Sequence, residues 1–180
     1  MGDRSFPDFQ AYLKVSDMVM IPMASLEQHG PHLPLYTDTI TSIEVAKRTA
    51  EKARILYTPP IWMGYSPQHM RGPGEGTGTI TVRPQTLLNL LHDVARSLIH
   101  HGFNKLIFVN GHGSNVKVID PLLRKIRYDT GALVCHSALR DDPELLRLFP
   151  GRVFVEMNGE VAPLTSAMRA TRIDRMKPPK

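Results

Sequence analysis

The sequence predicts a three-layer α/β/α fold with a mainly parallel sheet. Short apolar runs of strand length alternate along the chain with longer amphipathic segments of helix length. The runs are apolar at successive positions, which is typical of strands buried on both faces. Strands and helices in alternation favour a parallel sheet between two layers of helices.

The individual elements can be placed from apolar periodicity and from the positions of Gly and Pro. Apolar runs predict strands at residues 18–23, 55–57, 79–82, 105–109, 132–135 and 153–155. Amphipathic segments predict helices at residues 39–53, 84–101, 115–128 and 142–149. Asp38 or Thr39 can cap the first of these helices. Pro121 marks either a kink or a late start in the third.

The length of the chain suits a single domain, because a domain of 180 residues buries a substantial core. We expect one domain over residues 1–180, with two irregular segments. Residues 59–78 hold too many Pro and Gly for regular structure, and loops of this length are usually functional or disordered. Residues 169–180 form a basic tail.

Composition argues against several classes of protein. No apolar run approaches the roughly 20 residues of a membrane span, and the N-terminus lacks the apolar region of a secretory signal. The net charge of +5 is scattered outside the tail, and no nucleic-acid motif is present. The single cysteine, Cys135, lies in a predicted strand, which fits a reducing compartment. We therefore expect a cytoplasmic protein that binds neither membrane nor nucleic acid.

Potential metal ligands follow two of the predicted strands. Glu27, His29, His32 and Asp38 come after the strand at 18–23, and His112 comes just after the next long buried strand. Oxygen and nitrogen donors of this kind suit divalent transition metals. Ligands of open α/β sheets bind beyond the carboxyl ends of the strands, so one topology can bring both groups to the same edge.

These donors also have simpler interpretations. Asp38 before a helix is most often only a cap, and a single Glu or His in a loop is usually solvated. Taken together, at two strand ends with Gly30, Gly111 and Gly113 allowing tight backbone, they favour a metal site. Two ions that share a carboxylate and a water make a nucleophilic hydroxide and polarise a carbonyl, as amide hydrolysis requires.

Two sequence motifs carry a family resemblance. Residues 25–34 (SLEQHGPHLP) with Thr37 and Asp38, and residues 109–115 (VNGHGSN), strongly resemble the creatininase (creatinine amidohydrolase) family. Residues 64–69 and 78–81 match that family more loosely. The resemblance covers roughly residues 15–135, and its first motif is long and specific.

The resemblance implies a binuclear site of zinc, manganese or iron and hydrolysis of a carbon–nitrogen bond in a small cyclic or linear amide by a metal-bound hydroxide. Carried over by position, Glu27 and His112 hold one metal, His29 holds the other, and Asp38 bridges them. Glu160, in a late Met-Asn-Gly-Glu segment, is the candidate fifth ligand. Glu27 is also expected to act in catalysis.

The resemblance also bears on substrate and assembly. It implies a small-molecule substrate, which within the family is creatinine, a formylamino-pyrimidine nucleotide, a peptide tail or a cyclic polyol ketone. It further implies a homo-oligomer, such as a hexamer. Nothing in the sequence selects one substrate.

The sequence departs from the family pattern at the expected proton donor. Met157 stands where members usually have a histidine, and methionine cannot titrate. His32, His69 or His136 could replace it. His32 is favoured because prolines flank it and it lies three residues from His29, although a supporting role beside the metal is an equal alternative.

Other positions are candidates for contact with the substrate. Ser114 stands where creatininase itself has an acidic ligand. We place Ser114, Tyr65 and His69 at the substrate, while Tyr65 has ordinary packing as its alternative.

A catalytically weak or inactive creatininase-like protein that binds metal or ligand is the second hypothesis, motivated by Met157. Metal storage is disfavoured, because the donors lie at strand ends and not in a flexible tract.

Overall fold

The computed structural model describes residues 1–138, 154–157 and 160–163 of the chain. Its helices are α1 (Phe6–Leu13), α2 (Thr37–Ala53), α3 (Pro84–His100) and α4 (Val116–Thr130). Its strands are β1 (Met18–Met23), β2 (Leu56–Tyr57), β3 (Lys105–Asn110), β4 (Leu133–Ala138), β5 (Phe154–Met157) and β6 (Glu160–Pro163). The predicted helix at 142–149 and the basic tail lie outside the described residues.

The strands form one sheet in the order β2-β1-β3-β4-β5-β6. The first four are parallel, and β5 and β6 continue the sheet antiparallel. The register aligns Met23 of β1 with Asn110 of β3, and Asn110 with Ala138 of β4. The carboxyl ends of the three long parallel strands therefore lie at the same level.

Apolar side chains cover both faces of this sheet. One cluster joins alternate residues of β1, β3 and β4 to α3 and α4, and includes the fully buried Phe108 and Leu91. The other cluster joins the intervening strand residues to Ala46 and Ala50 of α2. The strands are apolar at successive positions because each face packs against helices, which confirms the predicted three-layer α/β/α architecture.

The structure differs from the predicted elements in three places. The predicted strand at 79–82 is wrong: Ile80 and Thr81 make only isolated bridges, to Leu26 and Gly64, so the segment pins two loops and does not join the sheet. The short helix α1 was not predicted, because it buries none of its own residues fully. Pro121 lies inside α4 and does not mark its start.

Helix α1 is held against the sheet by aromatic residues. Phe9 packs edge to face on Phe103, with ring centroids 6.4 Å apart. The Tyr12 hydroxyl donates a 2.7 Å hydrogen bond to the Met18 carbonyl. Within the described part of the chain, no helix combines the length and the hydropathy that crossing a membrane requires.

Candidate metal centre

Four potential ligands meet at the carboxyl ends of β1 and β3. Glu27 and His29 lie in the loop that follows β1, Asp38 lies in the first turn of α2, and His112 follows β3. The loop folds back on itself, because Glu27 N–H donates to the Leu35 carbonyl over 3.0 Å. The aligned strand ends thus bring together residues far apart in sequence.

Asp38 lies between two histidines. Its Oδ1 is 3.0 Å from His29 Nε2, and its Oδ2 is 2.9 Å from His112 Nδ1. Its carboxylate does not cap α2: the N-cap residue is Tyr36, which makes no side-chain capping bond, and the helix begins at Thr37. The capping interpretation of Asp38 is therefore not what the structure shows.

Each of these two imidazoles is anchored through its other ring nitrogen. His29 Nδ1 lies 3.1 Å from the Glu27 carbonyl oxygen, and His112 Nε2 lies 3.1 Å from the Tyr65 carbonyl oxygen. A carbonyl only accepts, so the anchored nitrogen donates its N–H. In the neutral rings the remaining lone pairs then face the Asp38 oxygens, an arrangement that repels unless a cation lies between them.

Glu27 supplies the second carboxylate of the cluster. The residue is only 5% exposed, and among the described residues its buried Oε2 has no hydrogen bond of good geometry, although His112 Nδ1 is 3.2 Å away. Its Oε1 lies 3.4 Å from His69 Nε2 and 4.0 Å from His29 Nε2. A buried carboxylate oxygen without a partner is costly, and a bound cation would relieve that cost.

The donor set fits a divalent transition metal. Glu27, His29 and Asp38 each offer one ligand atom, and these atoms lie within 4.8 Å of one another. Zinc takes imidazole nitrogens and carboxylate oxygens at about 2.0–2.2 Å, so two ligands of one ion lie at most about 4.4 Å apart. His29 Nε2 meets this limit, at 3.0 Å from Asp38 Oδ1 and 4.0 Å from Glu27 Oε1. His112 Nδ1 faces both carboxylates, at 2.9 Å from Asp38 Oδ2 and 3.2 Å from Glu27 Oε2.

The electrostatics of the cluster act on His112. Burial is the largest influence on its pKa and lowers it, but the hydrogen bond to Asp38 and the charges of Glu27 and Asp38, with the Tyr65 carbonyl, together raise the pKa above its ordinary value. In the metal-free protein a proton is thus favoured at the nitrogen that faces both carboxylates. A metal ion would have to displace it.

A buried amide pair fixes the backbone around His112. Asn110 Nδ2 donates to the His112 carbonyl over 2.8 Å, and Asn115 Nδ2 donates to Asn110 Oδ1 and to the Ala24 carbonyl. Asn115 Oδ1 accepts from Tyr65 N–H over 2.9 Å. The Tyr65 carbonyl contacts His112, and Asn115 bonds the backbone of Tyr65 to residues at the ends of β1 and β3.

Gly111 allows the close approach of α2 and β3. A Cβ at this position would overlap the Asp38 carbonyl oxygen and lie 3.1 Å from the Ser42 Cβ. Ser42 itself accepts from Met23 N–H and donates to the Val109 carbonyl over 2.6 Å. These contacts hold the start of α2 against both strand ends, which places Asp38 beside His112.

The candidate proton donors occupy different positions. His69 lies at the cluster with its side chain 27% exposed. His32 is exposed and packs near Gly30, and within residues 1–138 its ring makes no hydrogen bond or ion pair to the carboxylates. His136 is 1% exposed on β4, and its Nδ1 has no partner in the described part of the chain. Of the three, His69 is the one in contact with Glu27.

The remaining predicted residues meet the site only in part. The Tyr65 side chain packs against the apolar core, and its backbone carbonyl is what contacts His112. Ser114 accepts a 3.1 Å hydrogen bond from Gln68. Glu160 opens β6 opposite Met157, but its side chain is outside the described residues.

Sequence reasoning missed the residues that hold the ligands in place. Gln28, Asn110 and Asn115 lie inside the two recognised motifs, yet an amide side chain has no distinctive spacing that would reveal a hydrogen-bonding role. The available signal was their position beside the donors: Gln28 lies between Glu27 and His29, and the two asparagines lie on either side of His112.

The fold and the site define a class: an α/β protein whose parallel strands end in a buried cluster of carboxylates and imidazoles suited to divalent metal. The chain belongs to the creatininase family, whose model, described as creatinine amidohydrolase, matches residues 2–175. The resemblance found in the two motifs is thereby confirmed.

Two curated relatives show how far this similarity extends. Creatinine amidohydrolase of Pseudomonas putida is 34% identical over 134 residues, which cover 71% of this chain and 52% of that protein. The mycofactocin precursor peptide peptidase of Mycolicibacterium smegmatis is 32% identical over 173 residues, which cover 86% of this chain and 68% of that protein. The chain thus spans about half the length of the first relative.

The fold of this chain is similar to that of solved creatininase structures. The structure named Creatininase Mn has a TM-score of 0.68 and 30% sequence identity, and the match covers 83% of this chain and 63% of the other.

Proposed function

We propose that this chain is a metal-dependent amidohydrolase that hydrolyses a carbon–nitrogen bond of a small cyclic or linear amide. Glu27, His29, Asp38 and His112 would hold two divalent ions, of zinc, manganese or iron. The two relatives described above are named as a creatinine amidohydrolase and as a precursor peptide peptidase, and the structure named Creatininase Mn has a similar fold.

The observation that carries this proposal is the geometry of Asp38. Its two oxygens face two different imidazole nitrogens at 3.0 and 2.9 Å, and each imidazole is anchored on a backbone carbonyl. A carboxylate that meets one ligand with each oxygen is suited to bridging two ions. A simple ion pair with one histidine would not need both anchors.

Bound divalent ions would supply Lewis acidity, lowering the pKa of water and polarising the scissile carbonyl. The chain supplies the orientation of that chemistry. Glu27 presents Oε2 toward His112 and Oε1 toward His69, so one oxygen can serve as a ligand while the other takes a proton from the attacking water. Its burial excludes bulk water from this step.

The leaving amine needs a proton, and the three candidate histidines differ in their access to it. His69 faces Glu27 Oε1 at 3.4 Å, whereas His32 lies exposed beside Gly30. On geometry His69 is therefore the candidate that reaches the site, and the role of His32 as proton donor stays a prediction. His136 is buried on the face of the sheet that packs against α3 and α4, since its neighbour in register is Phe108.

Glu160 remains a predicted ligand. β5 runs antiparallel to β4 with Glu156 opposite His136, and Glu160 begins β6 opposite Met157, on the side of β5 away from β4. The proposal itself is argued from the other four candidate ligands. A Glu160→Gln variant that loses one bound ion would restore Glu160 to the set.

Metal content together with hydrolysis tests the proposal. The protein is loaded with Zn²⁺ or Mn²⁺, freed of excess metal and measured by elemental analysis; two ions per chain are expected. Hydrolysis of creatinine and of short peptide amides is then compared with that of Glu27→Gln, which is expected to lose turnover by about 10²–10⁴-fold, the usual contribution of acid–base catalysis.

The same experiment separates the proposal from its rival. Protein that holds two ions and hydrolyses none of these amides would support a catalytically weak or inactive metal-binding protein. Protein that takes up no metal from a metal-replete solution would overturn the metal-dependent hydrolase and leave only the ligand-binding form of its rival. Glu44→Gln in α2 is the matched control, because that glutamate is half exposed and pairs with Arg48 at the surface.

Assembly and localisation stay predictions. A homo-oligomer, such as a hexamer, is tested by light scattering of the purified protein. A monomer at all concentrations would be evidence against it.

A further inference from the structure

Three histidines surround the two carboxylates, and each turns one ring nitrogen toward them. His29 Nε2 and His112 Nδ1 lie 3.0 and 2.9 Å from Asp38 oxygens. His69 Nε2 lies 3.4 Å from Glu27 Oε1. By distance alone the three rings look alike, and His69 could be taken for a further metal ligand.

The partner of the other ring nitrogen distinguishes them. For His29 and His112 that partner is a backbone carbonyl, at 3.1 Å in both cases. A carbonyl accepts, so in the neutral ring the proton lies on the anchored nitrogen and the nitrogen that faces the carboxylates keeps its lone pair. A lone pair is what a metal ion binds.

For His69 the partner is an amide nitrogen. Gln28 Nε2 lies 3.1 Å from His69 Nδ1. The orientation of the Gln28 amide is set independently, because its Oε1 accepts the Gly30 backbone N–H over 3.0 Å, and a backbone N–H can only donate. The amide NH₂ must therefore be the group that faces His69, and it donates to Nδ1.

We propose that Gln28 is a positioning residue that holds neutral His69 with its proton on Nε2, so that His69 presents an N–H donor to the site and is not a metal ligand. This inference rests on the proposed function for its catalytic meaning. The 3.4 Å separation from Glu27 Oε1 is longer than an ordinary N–H···O bond, and a quarter of the side chain is exposed. The N–H is thus available to the oxygen of a bound amide.

Nuclear magnetic resonance of protein with ¹⁵N-labelled histidine reads this directly, because long-range ¹H–¹⁵N spectra distinguish the two neutral tautomers. At alkaline pH, without metal, His69 is expected as the Nε2–H tautomer. After addition of Zn²⁺, the ¹⁵N shifts of His29 Nε2 and His112 Nδ1 are expected to move as coordinated nitrogens, whereas His69 keeps its Nε2–H. An Nδ1–H tautomer of His69, or zinc coordination at its Nε2, would overturn the proposal.

A conservative substitution reverses the proposed effect. Gln28→Glu keeps an acceptor for Gly30 N–H but replaces the donor to His69 by a second acceptor. His69 is then expected to switch to the Nδ1–H tautomer and to turn a lone pair toward Glu27. If His69 keeps the Nε2–H tautomer in this variant, Gln28 does not set it.

The adjacent part of the loop supplies the control. Gln68→Glu makes the same chemical change at an amide that bonds Ser114 instead of His69, and it is expected to leave the His69 tautomer unchanged. Because the tautomer can be read without metal, a protein that binds no zinc would defeat the proposed function while still testing the role of Gln28.

Discussion

Asp38 Oδ2 lies 2.9 Å from His112 Nδ1, although the two residues are 74 positions apart in sequence. Asp38 comes from the first turn of α2 and His112 from the loop after β3. They meet because β1 and β3 are parallel neighbours with aligned ends, and because Gly111 lets the start of α2 approach the end of β3.

The position of Asp38 between two histidines predicts that one substitution weakens binding of both proposed metal ions. Asp38→Asn removes the charge that faces both histidines while keeping the shape of the side chain. Metal affinity is expected to fall by about 100-fold or more, since losing even an outer partner of a ligand typically costs about 10–100-fold. Titration calorimetry with Zn²⁺ measures it. Asp93→Asn on the exposed surface of α3 is the control, and two tightly bound ions in Asp38→Asn would contradict the bridging role.

The close approach at Gly111 predicts a contrast between two neighbouring glycines. Gly111→Ala introduces a Cβ that overlaps the Asp38 carbonyl oxygen, whereas a Cβ at Gly113 has nothing within 4 Å. Gly111→Ala is expected to lower the free energy of unfolding by about 1–3 kcal/mol, as overpacking does, and to weaken zinc binding as well. Urea denaturation and zinc titration of both variants test this. Equal effects at the two positions would show that the close contact is unimportant.

The buried amide network predicts a large cost at Asn115. Asn115→Ala leaves Tyr65 N–H and the Ala24 carbonyl without their bonds. Each buried polar group left without a partner costs on the order of 1–3 kcal/mol. The free energy of unfolding should therefore fall by a few kcal/mol, and zinc affinity should fall with it. Asn89→Ala on the exposed face of α3 is the comparison and should change stability little. A stable Asn115→Ala protein with normal zinc affinity would remove Asn115 from the account of the site.

The raised pKa of His112 predicts how the stability of the metal-free protein depends on pH. The folded protein holds this proton more tightly than the unfolded chain, where the pKa is about 6.5. The stabilisation is therefore complete below that value and is lost as the pH rises through the higher folded-state pKa. Urea denaturation in the presence of a chelator, from mildly acid to alkaline pH, measures this. The difference in free energy of unfolding between wild type and His112→Gln should shrink as the pH rises. Parallel curves would contradict this, and His100→Gln at the end of α3 should follow wild type.

Much of the fold could be predicted because local pattern and tertiary environment agree. The strands at 18–23 and 106–109 are runs of apolar residues that become buried on both faces, so the continuous apolar pattern identified them. The segment at 79–82 has the composition of a strand, but the sheet has no place for it, and its backbone pairs with two loops instead. Helix α1 could not be predicted from the sequence because it has no clear apolar periodicity. Packing of Phe9 and Tyr12 on Phe103 holds it in place.

The sequence by itself determined the class of fold, the family and the donor residues at two strand ends, because these depend on residue type and short-range spacing. Only the tertiary structure decided what each donor does. It showed that the Asp38 carboxylate contacts two histidines and does not cap a helix. It also brought Gln28 into contact with His69, 41 positions away in sequence. The reason is physical: the role of an imidazole or a carboxylate depends on which atoms surround it, and those atoms come from segments that meet only when the parallel sheet forms.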